Sequence, residues 1–500
     1  MNYKPTQLLF IDATVNDIET LLQGTLPGIE AHILSGEQDG VAQITQILQH
    51  RPEVNTLHIV SHGSPGCLYL GNSQLSLDTL NIYTSQLQSW SRDGLTLMLY
   101  GCNVAAGDAG EEFVNKLHQL TGSNIAASVT LTGNANLGGN WILEMKIGVI
   151  DAPLAITPST QSAYASILSP SLIADDSISL PGVYISSVAW GDYSGDGKLD
   201  LILTGNSNNG SISKLYKNNG SGVLTEDTSL ALPGVYYGSV AWGDYSGDGK
   251  LDLILTGNNN GLISKLYKNN GSGVLTEDTS LALPGVYISS VAWGDYSGDG
   301  KLDLILTGYN NNGVGISKLY KNNGSGVLTE DTSLTLPGVY YGSVAWGDYS
   351  GDGKLDLILT GYNNNGPISK LYKNNGSGVL TEDTSLTLPG VYESSVAWGD
   401  YSGDGKLDLI LTGNNNGPIS KLYKNNGSGV LTEDTSLTLP GVYESSVAWG
   451  DYSGDGKLDL ILTGNNNGPI SKLYKNNGSG VLTEDTSLTL PGVYESSVAW

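Results

Sequence analysis

Cysteine, phenylalanine and methionine are nearly missing from this chain of 500 residues, which contains 2, 2 and 3 of them. Two cysteines cannot form a disulfide framework, so other forces must hold the fold together. The apolar residues are instead aliphatic, with 28 Tyr and 9 Trp, and glycine is abundant at 68 residues. This composition favours many short strands joined by tight turns.

Basic residues are also scarce: 23 Lys and Arg stand against 49 Asp and Glu, a formal net charge of −26. An acidic chain repels phosphate backbones and anionic lipid, so we expect no nucleic-acid partner. No apolar run approaches the roughly 18 residues of a membrane helix, so we expect no membrane span. The opening MNYKPTQLLFIDATV lacks the basic and apolar regions of a signal peptide and is typical of a first strand.

The dominant feature is a repeat, marked by the string SVAW, whose tryptophan recurs every 51 to 53 residues. Its positions are Trp190, Trp242, Trp293, Trp346, Trp398, Trp449 and Trp500. Each copy has about four short segments of alternating apolar and polar residues, separated by glycine and Asn-Gly turns. This pattern indicates one β-propeller blade per copy; a stacked solenoid, the alternative, has shorter coils with fewer strands.

The repeats divide the chain into two parts. We expect an α/β domain over residues 1–155, a linker rich in Ser, Thr, Ala and Pro over 156–170, and an all-β propeller over 171–500. Residues 172–184 resemble the last strand of a blade, so the array holds six full blades, a closing strand and the start of a seventh. Because Trp500 falls in mid-strand, we expect the chain to be part of a longer product, acting as a monomer or within that longer chain.

Differences between the copies fall at two places. All length variation lies between LILTG and ISK, and the second variable spot follows PGVY. Segments that tolerate insertion are exposed loops, so these two loops are the candidate surface for a protein or carbohydrate partner. Neutral drift in a recently duplicated array is the alternative explanation.

Six copies contain the loop D-Y-S-G-D-G-K-L-D, which starts at Asp192 in the first copy. Carboxylates so close together repel one another when folded onto one point, and a hard divalent cation removes that conflict. Calcium loops supply oxygen ligands at positions 1, 3, 5, 7 and 9, with glycine at position 6 for the sharp turn. The spacing therefore predicts a Ca²⁺ site in each loop, and a solvated acidic turn is the alternative.

The predicted ligands in the first loop are Asp192, Ser194, Asp196, the carbonyl of Lys198, and Asp200. The equivalent carboxylates are Asp244, Asp248, Asp252, Asp295, Asp299, Asp303, Asp348, Asp352, Asp356, Asp400, Asp404, Asp408, Asp451, Asp455 and Asp459.

The string DYSGDGKLDLILTG, followed by LYKNNGSGVLTEDT, resembles the integrin-type FG-GAP repeat, also called the VCBS repeat. The resemblance covers residues 171–500 and implies a calcium-stabilised propeller used in adhesion, carbohydrate binding or surface display. It also implies an extracellular or cell-surface location. Ser194 departs from the Asp or Asn most common at that position, which removes one charge from the site.

Before the repeats, apolar strands alternate with amphipathic helices, as in QLLFID followed by GVAQITQILQHRPEV. This alternation predicts a mostly parallel sheet covered by helices, with sites beyond the carboxyl ends of the strands. His62 follows the strand TLHIVS and Cys102 follows LTLMLY, so both lie at such ends. A thiol assisted by an imidazole is a nucleophile, and the N–H groups of Gly63 and Cys102 are natural oxyanion donors.

This arrangement is similar to the caspase, gingipain and separase group of cysteine peptidases. The longer pattern YGCNVAAGDAGEEFV, then LTGSNIAAS and GGNWILE, resembles the bacterial domain of unknown function 4347 over residues 7–150. Two hypotheses follow. In one, a calcium propeller binds a partner while the amino-terminal domain cuts the parent chain or a neighbour. In the other, the protein is a non-enzymatic adhesin, and His62 and Cys102 are a turn residue and a small buried side chain.

Overall fold

The structure, a computed structural model, describes residues 5–77, 79–168, 178–220, 223–453, 456–486 and 488–499. Asp455 and residues 171–177, the first part of the expected closing strand, lie outside these ranges. The chain divides into two compact units, one formed by the amino-terminal residues and one by the repeats. No helix in the described ranges is long and apolar enough to cross a lipid bilayer.

The first unit is built on a six-stranded sheet. Its strands in the described residues are β1 (Gln7–Asp12), β2 (Ile29–Leu34), β3 (Thr56–Val60), β4 (Gly63–Ser64), β5 (Cys67–Leu70), β6 (Ser73–Ser76), β7 (Thr96–Leu99), β8 (Asn124–Ala127) and β9 (Met145–Ile147). Its helices are α1 (Ile18–Gln23), α2 (Gly40–Gln49), α3 (Thr84–Trp90), α4 (Gly107–Thr121) and α5 (Pro158–Ala163), with a 3₁₀ turn at Ala135–Leu137.

The sheet order is β2-β1-β3-β7-β8-β9, and β4, β5 and β6 form a separate small antiparallel sheet. All neighbours in the main sheet are parallel except β8 and β9. Successive side chains of a strand point to opposite faces, and on β1 Phe10 enters one buried cluster while Leu9 and Ile11 enter another. A sheet buried on both faces explains the continuous apolar runs, and the expected α/β class is confirmed.

In the described residues, the second unit contains six successive groups of four strands. They are β10 (Tyr184–Gly191), β11 (Asp200–Ser207), β12 (Gly210–Asn218), β13 (Leu224–Glu226); β14 (Val240–Gly243), β15 (Asp252–Asn258), β16 (Leu262–Asn269), β17 (Leu275–Asp278); β18 (Val286–Gly294), β19 (Asp303–Asn310), β20 (Gly315–Asn322), β21 (Leu328–Glu330); β22 (Val344–Gly347), β23 (Asp356–Asn363), β24 (Gly366–Asn374), β25 (Leu380–Glu382); β26 (Tyr392–Gly399), β27 (Asp408–Asn414), β28 (Pro418–Asn425), β29 (Leu431–Glu433); β30 (Tyr443–Gly450), β31 (Asp459–Asn465), β32 (Pro469–Asn476), β33 (Leu482–Glu484).

Within each group the strands are antiparallel and adjacent in chain order, as in β10-β11-β12-β13. The second and third groups are also joined by the pair Ile263 and Val286. The second strand of each group is the most buried, because its residues are covered by the neighbouring groups on both faces. Four-stranded antiparallel meanders of this kind are the β-propeller pattern expected from the repeats.

The core of the second unit lies between successive groups. One buried cluster joins Tyr245 and Ile254 of the second group to Leu304 and Leu306 of the third. The same arrangement recurs between later groups. Each group therefore buries its apolar face only against its neighbours, which is why the repeats are stable as an array.

Candidate functional site

The predicted calcium loops fold around their first aspartate. In the second loop, Oδ1 of Asp244 accepts hydrogen bonds from the N–H groups of Gly247 at 2.7 Å and Asp248 at 3.0 Å. Oδ2 accepts from the N–H of Gly249 at 2.7 Å. Asp248 turns outward, where its carboxylate lies 3.1 Å from the ammonium of Lys250. The first aspartate therefore holds the backbone of the loop in a tight turn.

The last aspartate of each loop is fully buried, as at Asp252, which is 0% exposed. It accepts hydrogen bonds from the N–H groups of Ser246 at 2.9 Å and Asn269 at 2.8 Å. Burial raises the pKa of Asp252 in spite of these hydrogen bonds. The same direction holds at Asp303, Asp356 and Asp408.

A second feature also fits calcium. The hydroxyls of Ser194 and Ser350 are buried and have no hydrogen-bond partner in the described part of the chain. Both occupy position 3 of their loops, the position at which a calcium loop supplies a ligand oxygen. The donor set of each loop therefore suits a hard cation. Across the described residues, however, no three His, Cys, Asp or Glu side chains already converge as a metal site.

The loops lie where one group of strands meets the next. Tyr193, at position 2 of the first loop, stacks on Trp242 of the second copy with ring centroids 5.4 Å apart. Its carbonyl accepts a hydrogen bond of 2.7 Å from the side chain of Asn269, also in the second copy. The first loop is therefore in direct contact with the neighbouring group of strands.

The second variable spot of the repeat lines one cavity of about 270 Å³. Seven equivalent positions contribute to it: Ile185, Tyr237, Ile288, Tyr341, Glu393, Glu444 and Glu495. All seven have a positive φ between 47° and 53°. In the longer first strands this position is a bulge, as the register shift between Tyr184 and Ser187 shows. Left-handed backbone is costly for β-branched and aromatic residues and is concentrated at functional sites in proteins.

The wall of this cavity has an aromatic part and an acidic part. The rings of Tyr237 and Tyr341 meet edge to face with centroids 6.5 Å apart. Burial and the nearby Glu444 raise the pKa of Glu393, and the same two causes raise the pKa of Glu495. Burial, Tyr237 and Glu393 raise the pKa of Tyr341 to about 12. The sequence shows that this position varies between copies, but it does not show that all seven copies lie around one cavity.

The other variable loop is the hairpin between the second and third strands. Its tip is exposed in the first copy at Asn208 and Asn209. The two variable spots therefore lie at different positions on each group, one on an exposed hairpin and one in the cavity.

In the first unit, the candidate dyad lies at the strand ends where the sequence predicts it. Cys102 is fully buried, and its Sγ accepts a hydrogen bond of 3.2 Å from the N–H of Thr132. Burial raises the pKa of Cys102 to about 12, although backbone hydrogen bonds from Thr132 and Leu168 act in the opposite direction. Nε2 of His62 lies 3.0 Å from the carbonyl oxygen of Thr14.

The turns that carry His62 and Cys102 touch each other through two glycines. A Cβ on Gly63 would lie 2.8 Å from the Cα of Gly101, closer than side chains tolerate. The N–H of Gly63, a predicted oxyanion donor, donates to the carbonyl of Leu168 at 3.2 Å. His58 is separate from this site, since it is 0% exposed with Nδ1 3.0 Å from the hydroxyl of Tyr100. Burial lowers the pKa of His58 to about 4.

Family comparison divides the chain at the same place. The domain of unknown function DUF4347 matches residues 8–168. The FG-GAP-like repeat matches residues 192–255, 247–306, 297–359, 348–411 and 400–462. No curated protein matches the chain.

Several solved structures resemble it at low identity. A mutant of the Aleuria aurantia lectin in complex with alpha-methyl-L-fucoside is 12% identical, with a TM-score of 0.38 over 61% of this chain and 96% of the lectin. The protein AofleA from Arthrobotrys oligospora is 11% identical, with a TM-score of 0.38 over 61% and 87% of the two chains. The rhamnogalacturonan lyase PL11 of Bacillus licheniformis is 13% identical, with a TM-score of 0.28 over 60% and 70%.

Proposed function

This chain belongs to the FG-GAP-like repeat family, and on that premise we propose that its repeat region is a calcium-stabilised β-propeller that binds carbohydrate outside the cell. The observation that carries the proposal is the cavity to which seven copies of one repeat position contribute. Adhesion is then the role of the repeats, independent of any activity of the first unit.

A closed ring of seven blades is part of this proposal. The N–H of Val240 lies 3.3 Å from Oγ of Ser187 in the preceding copy, and later copies repeat this contact. The N–H of Val188 in the first copy lies 3.4 Å from Oγ of Ser497 in the last. The last copy thus relates to the first as each copy relates to the next. In this sequence the seventh copy is represented by the segment Ser497–Trp500, which repeats the string SVAW.

Calcium would be held by Asp244, the hydroxyl of Ser246, Asp248, the carbonyl of Lys250 and Asp252, and by the equivalent residues of the other loops. Bound calcium would balance the negative charge of the buried carboxylates. Because the loops contact the neighbouring copies, we expect the ion to stiffen the junctions between blades. Extracellular loops of this type bind calcium with dissociation constants on the order of 0.1 to 1 mM, which favours a location outside the cell.

Carbohydrate suits the cavity for three reasons. Its volume of about 270 Å³ is at the small end for ligand pockets and fits a single sugar residue. The carboxylates of Glu393, Glu444 and Glu495 accept hydrogen bonds from sugar hydroxyls. The ring faces of Tyr237 and Tyr341 offer apolar contact to the other side of the sugar. The acidic wall disfavours anionic glycans, so the expected ligand is a neutral sugar or an amino sugar.

The test is a glycan panel probed with the full chain in calcium and, separately, in chelator. We expect binding to neutral or amino sugars that falls in chelator and is lost in Glu393→Gln/Tyr341→Ala. The matched control is Glu433→Gln on β29, which changes one carboxylate far out on the sheet and leaves binding intact. Equal binding by the cavity variant and the wild type would contradict this site, and the absence of any calcium effect would contradict the metal.

A further inference from the structure

The cavity of the repeat unit has two chemically different sides. In chain order, the seven equivalent positions are Ile185, Tyr237, Ile288, Tyr341, Glu393, Glu444 and Glu495. The first four are aliphatic or aromatic, and the last three, which come from successive copies, are acidic. Every copy has PGVY before this position and SVAW shortly after it, so the charge of the cavity comes from this position alone.

The three glutamates of the cavity differ from the other glutamates of the repeats, which are all paired with lysine. On the outer strands, the carboxylate of Glu433 lies 2.7 Å from the ammonium of Lys421, and the other five groups have the same pair. No Lys, Arg or His lines the cavity. In the described part of the chain, no basic side chain forms an ion pair with Glu393, Glu444 or Glu495. Three carboxylates therefore line one small volume without a cation from the protein.

The hydrogen bonds that these carboxylates receive come from neutral amides. Nδ2 of Asn465 lies 3.4 Å from Oε2 of Glu444, and the side chain of Asn414 hydrogen-bonds to Glu393. Burial and the charge of Glu444 raise the pKa of Glu393 and that of Glu495. Repulsion thus opposes the ionised form of these groups, and a cation bound among them would remove that repulsion.

The aromatic side of the cavity also favours a cation. Burial raises the pKa of Tyr237, and the charges of all three cavity glutamates raise it further, so its hydroxyl lies close to the acidic side. The ring of Tyr341 meets that of Tyr237 edge to face with centroids 6.5 Å apart. The face of an aromatic ring attracts an ammonium group within about 6 Å of its centroid. Both sides of the cavity therefore favour the same kind of group.

Backbone hydrogen bonds between copies hold this wall in place. The N–H of Glu393 donates to the carbonyl of Tyr341 at 2.6 Å, which joins the acidic side to the aromatic side. The N–H of Glu495 donates to the carbonyl of Glu444 at 3.1 Å. A site that is fixed before binding loses less conformational entropy when its ligand enters.

From this arrangement we propose that the ligand of the cavity is a protonated amino sugar, whose ammonium group lies among the three glutamates and whose ring packs against Tyr237 and Tyr341. This inference rests on the proposed carbohydrate binding and names the class of sugar. An ammonium group donates three hydrogen bonds and balances part of the negative charge of the cavity. A neutral sugar supplies hydroxyl donors without a charge, and an anionic sugar is repelled.

A comparison of matched sugars on the full wild-type chain tests the proposal without relying on a variant. The probes are glucosamine, galactosamine and mannosamine, each compared with its N-acetylated form and its neutral parent hexose. Isothermal titration in calcium at about pH 6.5 keeps the amine protonated. We expect one amino sugar to bind at least about tenfold more tightly than its two neutral counterparts, because hydrogen bonds to charged groups are stronger. Methylammonium, a cation without a sugar ring, should bind at least about tenfold more weakly than that amino sugar.

A charge-only variant then identifies the groups responsible. Glu393→Gln/Glu444→Gln/Glu495→Gln keeps the size of the side chains and removes their charge. We expect this variant, when folded by circular dichroism, to bind the amino sugar and its parent hexose with a ratio of affinities near one. Glu433→Gln, which removes a carboxylate from an outer strand, is the matched control and should keep the wild-type ratio.

The outcomes separate this inference from the carbohydrate binding on which it rests. If amino sugars bind no more tightly than their neutral counterparts, carbohydrate binding stands and the amino-sugar inference is wrong. If no sugar binds to the folded chain, both proposals are wrong. Methylammonium that binds as tightly as the amino sugar would show that the ligand is a simple amine, and an unchanged ratio in the folded triple variant would place the site elsewhere. Either result overturns the inference.

Discussion

The ring of Tyr245 lies flat against that of Trp293, with centroids 5.5 Å apart and planes within 1° of parallel. The tyrosine belongs to the second repeat and the tryptophan to the third, so the pair joins two groups of strands. The hydroxyl of Tyr245 lies 3.0 Å from the carboxylate of Asp278, and the ammonium of Lys268 lies 5.8 Å from the ring centroid. The junction between copies is therefore an aromatic stack with a charged outer edge.

The glycine before each calcium loop makes room for this stack. A Cβ on Gly243 would lie 2.7 Å from Cδ1 of Trp293. We expect Gly243→Ala to lower the free energy of unfolding of the repeat region by about 1–3 kcal/mol, because the ring must shift. Urea denaturation followed by tryptophan fluorescence measures the change. The control is Gly261→Ala, where a Cβ meets nothing within 4 Å; a loss of equal size there would contradict the explanation.

One carboxylate per loop can be removed without disturbing a buried contact. Asp248 is exposed, so we expect Asp248→Asn to be stable in chelator but to bind one calcium ion fewer and to gain less thermal stability from calcium. A site filled at 100-fold excess over its dissociation constant contributes roughly 2.7 kcal/mol, which sets the scale of the loss. Isothermal titration gives the stoichiometry. Asp93→Asn, which changes an exposed carboxylate outside the loops, is the control and should leave the number of bound calcium ions unchanged. If Asp248→Asn binds as many calcium ions as the wild type, this loop is not a metal site.

The acid stability of the repeats should depend on a second set of aspartates. Burial alone would raise the pKa of Asp278, but hydrogen bonds from Ser280, Lys268 and Tyr245 outweigh it and hold the pKa at about 2. Asp227, Asp331, Asp383 and Asp434 have the same value. A depressed carboxyl pKa stabilises the fold above the unfolded value near 4, and this contribution is lost as the pH falls toward 2.

Each such carboxylate is worth on the order of 2 kcal/mol at neutral pH. We therefore expect the stability of Asp278→Asn to fall less steeply than that of the wild type between pH 4 and pH 2. Thermal melts across that range measure the slope. Glu277→Gln, on the exposed side of the same strand, is the matched control. If the stability of Asp278→Asn falls with pH as steeply as that of the wild type, other groups are responsible for acid unfolding.

Repulsion between the glutamates of the cavity should make stability depend on pH in the opposite direction. The pKa values of Glu393 and Glu495 are raised, so these groups oppose folding when ionised, and stability increases as the pH falls through their folded pKa values. We expect Glu444→Gln to raise the melting temperature at pH 7 by a few degrees, with a smaller gain at pH 4. Glu37→Gln, on the exposed surface of the first unit, should have no such effect. A lower melting temperature in Glu444→Gln would contradict this, because it would mean that the ionised carboxylates of Glu393, Glu444 and Glu495 stabilise the fold.

Much of this structure follows from sequence pattern alone. The period of the repeat, the alternation within each copy and the turns identify four-stranded groups, because strand formation depends on local chemistry. The alternating strands and helices before residue 155 predict the α/β sheet for the same reason. His62 and Cys102 were likewise predicted at strand ends, since parallel strands present their carboxyl ends at one edge.

Three features were decided only by tertiary structure, because each joins residues distant in the chain. The variable position after PGVY lines one cavity because seven copies of it are brought together in the structure. The sequence of a single copy does not show this. The stacking of Tyr245 on Trp293 depends on how neighbouring groups pack. The contact of Leu168 with Gly63 requires the chain to return across the sheet after more than a hundred residues. Sequence determined which local elements form and which side chains carry the chemistry, whereas packing determined which of them meet.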